Sequence, residues 1–180
     1  MYAYYQNAVA CYAYLADVRR QCEFTSSEWW ERGWTLQELL APPQVYFYDR
    51  KWRRIGNKQE LKAEIAELTA IPREVLSGQR SIHDVDVLER MSWATGRETT
   101  KPQDRAYCLM GLLDVSIEPD YEERVAKSFE RLWMALVRAH PEYKEASEFE
   151  EEKDELDFYR MLHGKLVDAK MRVSLHYHHF

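Results

Sequence analysis

The sequence predicts a helix-dominated α/β fold with few strands. Apolar residues recur at spacings of three and four along most of the chain, and helix-start signatures precede several of those runs. One short aromatic segment after a proline pair reads instead as a strand. With 180 residues, of which 46% are hydrophobic and 13% aromatic, the chain suits one domain with a real core.

Tyr4, Ala8, Cys11, Leu15 and Val18 fall on one helical face, which predicts a helix from the first residues to about Val18. The pattern is already under way at Met1, so the segment reads as the interior of a larger domain or, more simply, as a helical N-terminus. In Phe24-Thr25-Ser26-Ser27-Glu28-Trp29, Thr25 and Glu28 form a capping box and Phe24 and Trp29 a hydrophobic staple. The run Trp29 to Pro42, with three tryptophans, an arginine and two carboxylates, is therefore expected to be helical, forming either a dense core corner or a flat-walled pocket. Gly33 within it costs about 1 kcal/mol relative to alanine. Either two short helical pieces meet there or a neighbour approaches the backbone closely. Pro42-Pro43 ends the helix.

Val45-Tyr46-Phe47-Tyr48 is the one strand the pattern marks. Asn57 and Glu60 then supply a cap and its third-position partner for a helix lined by Leu61, Ile65 and Leu68, which Ile71-Pro72 closes. Val87 to Ala94 is helical, and Thr100-Lys101-Pro102-Gln103 offers a capping box ahead of Ala106 to Leu113. Val125, Phe129, Leu132, Trp133, Leu136 and Val137 define a long core-facing helix that stops at His140-Pro141. The organised part is 1–140, and 141–180 is an acidic helical or flexible tail.

A net charge of −6 argues against a phosphate-binding surface of the kind nucleic acid needs. Cys11, Cys22 and Cys108 lack C-x-x-C spacing or a nearby His pair, so neither a disulfide framework nor zinc is predicted. No metal site is expected from His176, His178 and His179, which end the chain without a second shell. No signal peptide or membrane-length apolar run is present, and a soluble, cytoplasmic protein is expected.

Three blocks together resemble the fungal heterokaryon-incompatibility (HET) domain. The first is Tyr4-Tyr5-Gln6-Asn7-Ala8 with Cys11 to Val18, and the second WWERGWTLQELLAP with Val45 to Asp49 and Trp52 to Gly56. The third is Met91-Ser92-Trp93-Ala94 with Arg97, Thr99-Thr100 and Asp104 to Val115. Their order and spacing span residues 1–135. The family's first half has no counterpart here, so the resemblance implies the C-terminal portion of a HET domain, truncated at its N-terminus. The chain also departs from it at Tyr121-Glu122-Glu123-Arg124, where many members carry Tyr-Gly-Glu-Gly. The implied function is nonself recognition and cell-death signalling by interaction with protein partners or self-assembly. An inactive gene fragment is a further alternative.

The HET fold is similar in turn to the flavodoxin-like Toll/interleukin-1 receptor (TIR) fold, and Trp34-Thr35-Leu36-Gln37-Glu38 looks like its W-x-x-x-E segment. That resemblance implies an NAD glycohydrolase centred on Glu38, with NAD as substrate and no required cofactor. Trp34 and Glu38 are one helical turn apart, and Ser27 and Glu31 fall on the same stripe, so Ser27 and Trp34 are the candidate ligand contacts. A fixed carboxylate there could stabilise an oxocarbenium-like ribose. The structural alternative pairs Glu38 with Arg32 or another arginine at a helix packing surface and leaves Trp34 in the core with its N–H satisfied locally. Arg97, Thr99, Thr100, Asp104 and Arg105 either line a surface or serve a cap and an ion pair, while Trp93, Tyr107 and Met110 are core and Cys108 an inert buried thiol.

Overall fold

The computed structural model describes residues 2–141 and 143. They divide into one unit of residues 2–86 with 96–100 and a second of 87–95 with 101–141 and 143.

In the first unit a short helix α1 (Tyr2–Gln6) leads into strand β1 (Cys11–Leu15). The single helix expected to reach Val18 is thus replaced by a turn and a half of helix and a strand. The physical reason lies in a second period within the same residues. Ala13 and Leu15 are buried while Tyr12 and Tyr14 are exposed, the alternation of a strand with one wet face. β1 pairs in parallel with β2 (Val45–Asp49), Cys11 opposite Val45 and Leu15 opposite Asp49. β3 (Arg54–Asn57) joins the other side of β2 antiparallel, giving a three-stranded mixed sheet of order β1-β2-β3.

A parallel pair needs a long crossover, and residues 16–44 provide it. They carry 3₁₀ turns at Gln21–Ser26 and Glu28–Glu31, then helix α2 (Thr35–Leu40). The tryptophan run is helical in two pieces, and both readings of Gly33 hold: the break falls at Arg32-Gly33, where another backbone comes in. The Gly33 amide donates to the Glu98 carbonyl at 2.8 Å and the Glu98 amide to the Glu31 carbonyl at 2.6 Å. Buried Arg97 clamps the junction, donating to the Arg32 carbonyl at 3.0 Å and the Thr35 hydroxyl at 3.1 Å. The cap is Ser27, whose hydroxyl accepts the Trp29 amide at 3.3 Å, and Thr25 belongs to the preceding turn.

Trp29 and Trp30 form the dense core corner. Phe47, with no exposure, meets the rings of Phe24, Trp29 and Trp30 at centroid distances of 5.1, 5.7 and 5.7 Å. The Trp30 indole N–H is satisfied by the Phe24 carbonyl at 2.7 Å.

After β3 the expected reciprocal bonds of Asn57 and Glu60 form, but they close the turn ahead of the next helix, whose own cap position falls at Leu61. The Asn57 side chain accepts the Gln59 and Glu60 amides at 2.9 Å each, and Glu60 accepts the Asn57 amide at 3.0 Å. Helix α3 (Lys62–Thr69) follows, and Ala70 ends it in the left-handed region before α4 (Arg73–Leu76). Leu61 and Ile65 are buried, but Leu68, expected on the same face, is 39% exposed.

The second unit contains α5 (Val87–Ser92), α6 (Asp104–Tyr107), α7 (Met110–Leu113) and α8 (Val125–Ala139). The helix expected over Ala106 to Leu113 is interrupted, and Gln103 rather than Thr100 occupies the cap position of α6. α8 is the predicted core helix, burying Phe129, Leu132, Trp133 and Leu136. The turn at Tyr121 to Arg124 dispenses with glycine because none of its residues has a positive φ. Side chains hold it instead: Gln103 donates to the Tyr121 and Glu123 carbonyls, and Glu123 accepts from Tyr107, Ser128 and Arg131, each at 2.8 Å. The acidic run, apart from Tyr143, and the C-terminal histidines lie outside the described residues.

Candidate functional site

Trp34 sits at the N-cap of α2 and Glu38 in its first turn, where the Glu38 amide donates to the Trp34 carbonyl at 3.4 Å. The two are one turn apart, as their spacing predicts. The half-buried Glu38 carboxylate accepts the Tyr5 hydroxyl at 3.0 Å, and Tyr5, rather than Arg32, is its described hydrogen-bond partner. Burial and the adjacent Glu38 charge push the Tyr5 phenol up, so it remains a donor.

Two further groups share this field. Burial first, then Glu38, raises the Cys11 thiol, against the opposing pull of Lys58. Lys58 is only 4% exposed, and burial depresses its ammonium to about 8. It donates to the Leu39 carbonyl in the last turn of α2 at 3.0 Å and to the Pro42 carbonyl just beyond it at 2.6 Å. Tyr5, Cys11, Glu38 and Lys58 thus gather at the amino ends of the two parallel strands. Doubly wound sheets take nucleotides at the opposite, carboxyl ends.

Ser27 is not brought into this group by any described contact. Its hydroxyl donates to Asp17 at 2.7 Å while accepting the Trp29 amide, and the other Asp17 oxygen accepts the Glu28 amide at 2.7 Å. Those bonds explain Ser27 as a helix-start residue. In the third sequence block Arg97 clamps the Arg32 carbonyl and the Thr35 hydroxyl, and Asp104 accepts the Tyr121 hydroxyl at 2.9 Å. Trp93 and Tyr107 are buried, Met110 is half-buried, and the Cys108 thiol is buried 3.5 Å from the Arg105 carbonyl.

The sheet presents a feature that the helical reading of residues 11–15 concealed. Tyr12 and Tyr14 on β1 and Tyr46 and Tyr48 on β2 alternate with the buried positions and so share the outer face, Tyr12 opposite Tyr46 and Tyr14 opposite Tyr48. Tyr12 stacks on Tyr46 at 5.8 Å, and Tyr14 stacks on Trp52 at 4.7 Å. Trp52 and Tyr12 are each 62% exposed. Trp52 also occupies the left-handed region at φ 59°, an uncommon state for a bulky residue. Asp49 enforces that turn by accepting the Lys51 and Arg53 amides at 2.8 and 2.9 Å. Exposed Arg50, Lys51 and Arg53 flank Trp52 in sequence, and exposed Arg54 is the register partner of Tyr48. Arg53 and Arg54 are paired with Asp49 and Glu60, whereas Arg50 and Lys51 have no acidic partner among the described residues. The available sequence signal was the alternate tyrosines in Cys11–Leu15 and Val45–Asp49.

Among the described residues, no helix is long and apolar enough to cross a membrane. No family profile matches the chain, and no solved structure matches it. A curated protein does: the chain is 40% identical over 143 residues to vegetative incompatibility protein HET-E-1 of Podospora anserina. The match takes in 73% of this chain but only 10% of that protein, so the chain spans about a tenth of its relative's length. The sequence is therefore related to a fungal incompatibility protein, in line with the resemblance read from its three blocks.

Proposed function

We propose that this chain acts in fungal nonself recognition as an interaction module of the HET kind, seating a protein partner on the aromatic face of its sheet to signal cell death. The observation that carries the reading is the aromatic cluster of exposed Tyr12, Tyr14 and Trp52 with half-buried Tyr46 and Tyr48. Tyr, Trp and Arg are the residues that dominate protein-interface energetics, because they remove large areas from water at small entropic cost. Relatedness to HET-E-1 supplies the biological setting.

Charge selects the partner's chemistry. Exposed Arg50 and Lys51 immediately precede Trp52 in a chain of net charge −6, so an acidic protein surface complements the patch where a second copy's own face would repel it. Nucleic acid fits less well, because Tyr14 with Trp52 and Tyr12 with Tyr46 already cover one another's ring faces.

Expression in a filamentous fungal host tests this reading. The wild-type chain is expected to arrest growth, and Tyr12→Ser with Trp52→Ala to abolish the arrest, since losing two interface anchors costs about 2 kcal/mol or more each. Both side chains are exposed, so the thermal midpoint should hold. Full arrest by a folded double variant would overturn the reading.

A second reading rests on Glu38, held by Tyr5 and one turn from Trp34: a TIR-like site in which the carboxylate engages the ribose of NAD and stabilises the cation formed as nicotinamide leaves. Its position at the amino ends of the strands weighs against it. Purified chain should then release nicotinamide from NAD, and Glu38→Gln should reduce the rate by about 100-fold or more. Equal release by wild type and Glu38→Gln would remove Glu38 from any such reaction.

A further inference from the structure

A cleft of about 640 Å³ lies in the first unit between the segment after α2 and the loop after α4. That volume lies within the range of small-molecule sites. Its ionisable wall residues are Tyr2, Lys58, Arg80 and His83, and no aspartate or glutamate lines it. On a chain with 31 acidic and 25 basic residues, a cleft walled without a carboxylate is a local reversal of sign.

The donors in this wall are underused. Lys58 has three ammonium protons, of which the Leu39 and Pro42 carbonyls take two. Arg80 spends one of its five N–H donors, on the Asp84 carbonyl at 2.9 Å. The Ser81 oxygen accepts the His83 amide at 3.2 Å, which leaves the hydroxyl proton to donate. A guanidinium fork, an ammonium and a hydroxyl match an anion with several acceptor oxygens better than they match water.

We propose that this cleft binds a phosphate-bearing small molecule of nucleotide size, its anion held by Arg80 and Lys58. The cleft shares Lys58 with the Glu38 group, but Glu38 itself does not line it, and the inference stands whether or not Glu38 cleaves anything.

Calorimetric titration of the full chain with AMP, adenosine and inorganic phosphate tests it. AMP should bind at millimolar concentration or below and adenosine should not, since the phosphate supplies the charge-assisted bonds. Arg80→Ala should weaken AMP at least about tenfold. Arg80 is exposed, so its variants should melt like wild type, and Arg80→Gln provides a polar control expected to fail in the same way. Adenosine binding as well as AMP, AMP binding unchanged in Arg80→Ala, or no AMP heat at millimolar concentration would each overturn the proposal.

Discussion

Phe47→Ala is expected to destabilise the chain by about 3–5 kcal/mol, lowering the thermal midpoint by on the order of 10 °C. Phe47 has no exposure, sits on the central strand, and is ringed by Phe24, Trp29 and Trp30. Removing its ring takes away the surface against which both tryptophans pack edge-on or tilted, and large rigid indoles cannot collapse into the space left behind. The contrast is Tyr46→Ala one position earlier, which points to the opposite face and is half-exposed, and should cost clearly less. Denaturant titration followed by tryptophan fluorescence measures both. A loss below about 1 kcal/mol for Phe47→Ala would mean that the tryptophan corner is not organised around β2.

Lys58 should make stability rise with pH over an alkaline window. Its folded ammonium titrates near 8, below the ordinary 10.5, so between those values the unfolded chain holds a proton that the folded chain has lost. Where the unfolded state binds more protons, raising the pH favours folding, here by up to about 3 kcal/mol across the window. Below about 8 both states are protonated and the contribution is flat. Cys11 acts in the opposite sense: its raised folded thiol keeps its proton while the unfolded thiol loses one, so its contribution falls as pH rises. Tyr5 does likewise at higher pH. The measurement is therefore made in a Cys11→Ser background between pH 8 and 9.5, comparing Lys58 with Lys58→Met by chemical denaturation. Parallel stability curves would show that the Leu39 and Pro42 carbonyls hold the ammonium well enough to cancel its burial cost.

Local chemistry was readable wherever the signal and the structure it specifies lie within a few residues of each other. The reciprocal Asn57 and Glu60 bonds, the buried stripe of α8, the stop at Pro42 and the aromatic strand from Val45 were all legible for that reason. The one-turn separation of Trp34 and Glu38 followed from helical spacing alone. Three tryptophans so close together left a packed corner and a flat-walled pocket both open; Trp29 and Trp30 form the corner around Phe47, while Trp34 stays half-buried at the start of α2.

Tertiary structure decided what depends on partners distant in sequence. Cys11–Leu15 fits both a helical and an alternating pattern, and β2, some thirty residues on, resolves the tie by offering a parallel ladder and burying Ala13 and Leu15. That choice turns Tyr12 and Tyr14 outward beside Tyr46 and Tyr48, and so creates an aromatic face that no single segment encodes. In the same way, the Tyr5 contact to Glu38 and the Lys58 contacts to Leu39 and Pro42 join residues from 16 to 33 positions apart. Side-chain period specifies which residues share a face, but register and burial, set by the chain's long-range pairing, determine which face meets water and therefore where a partner can bind.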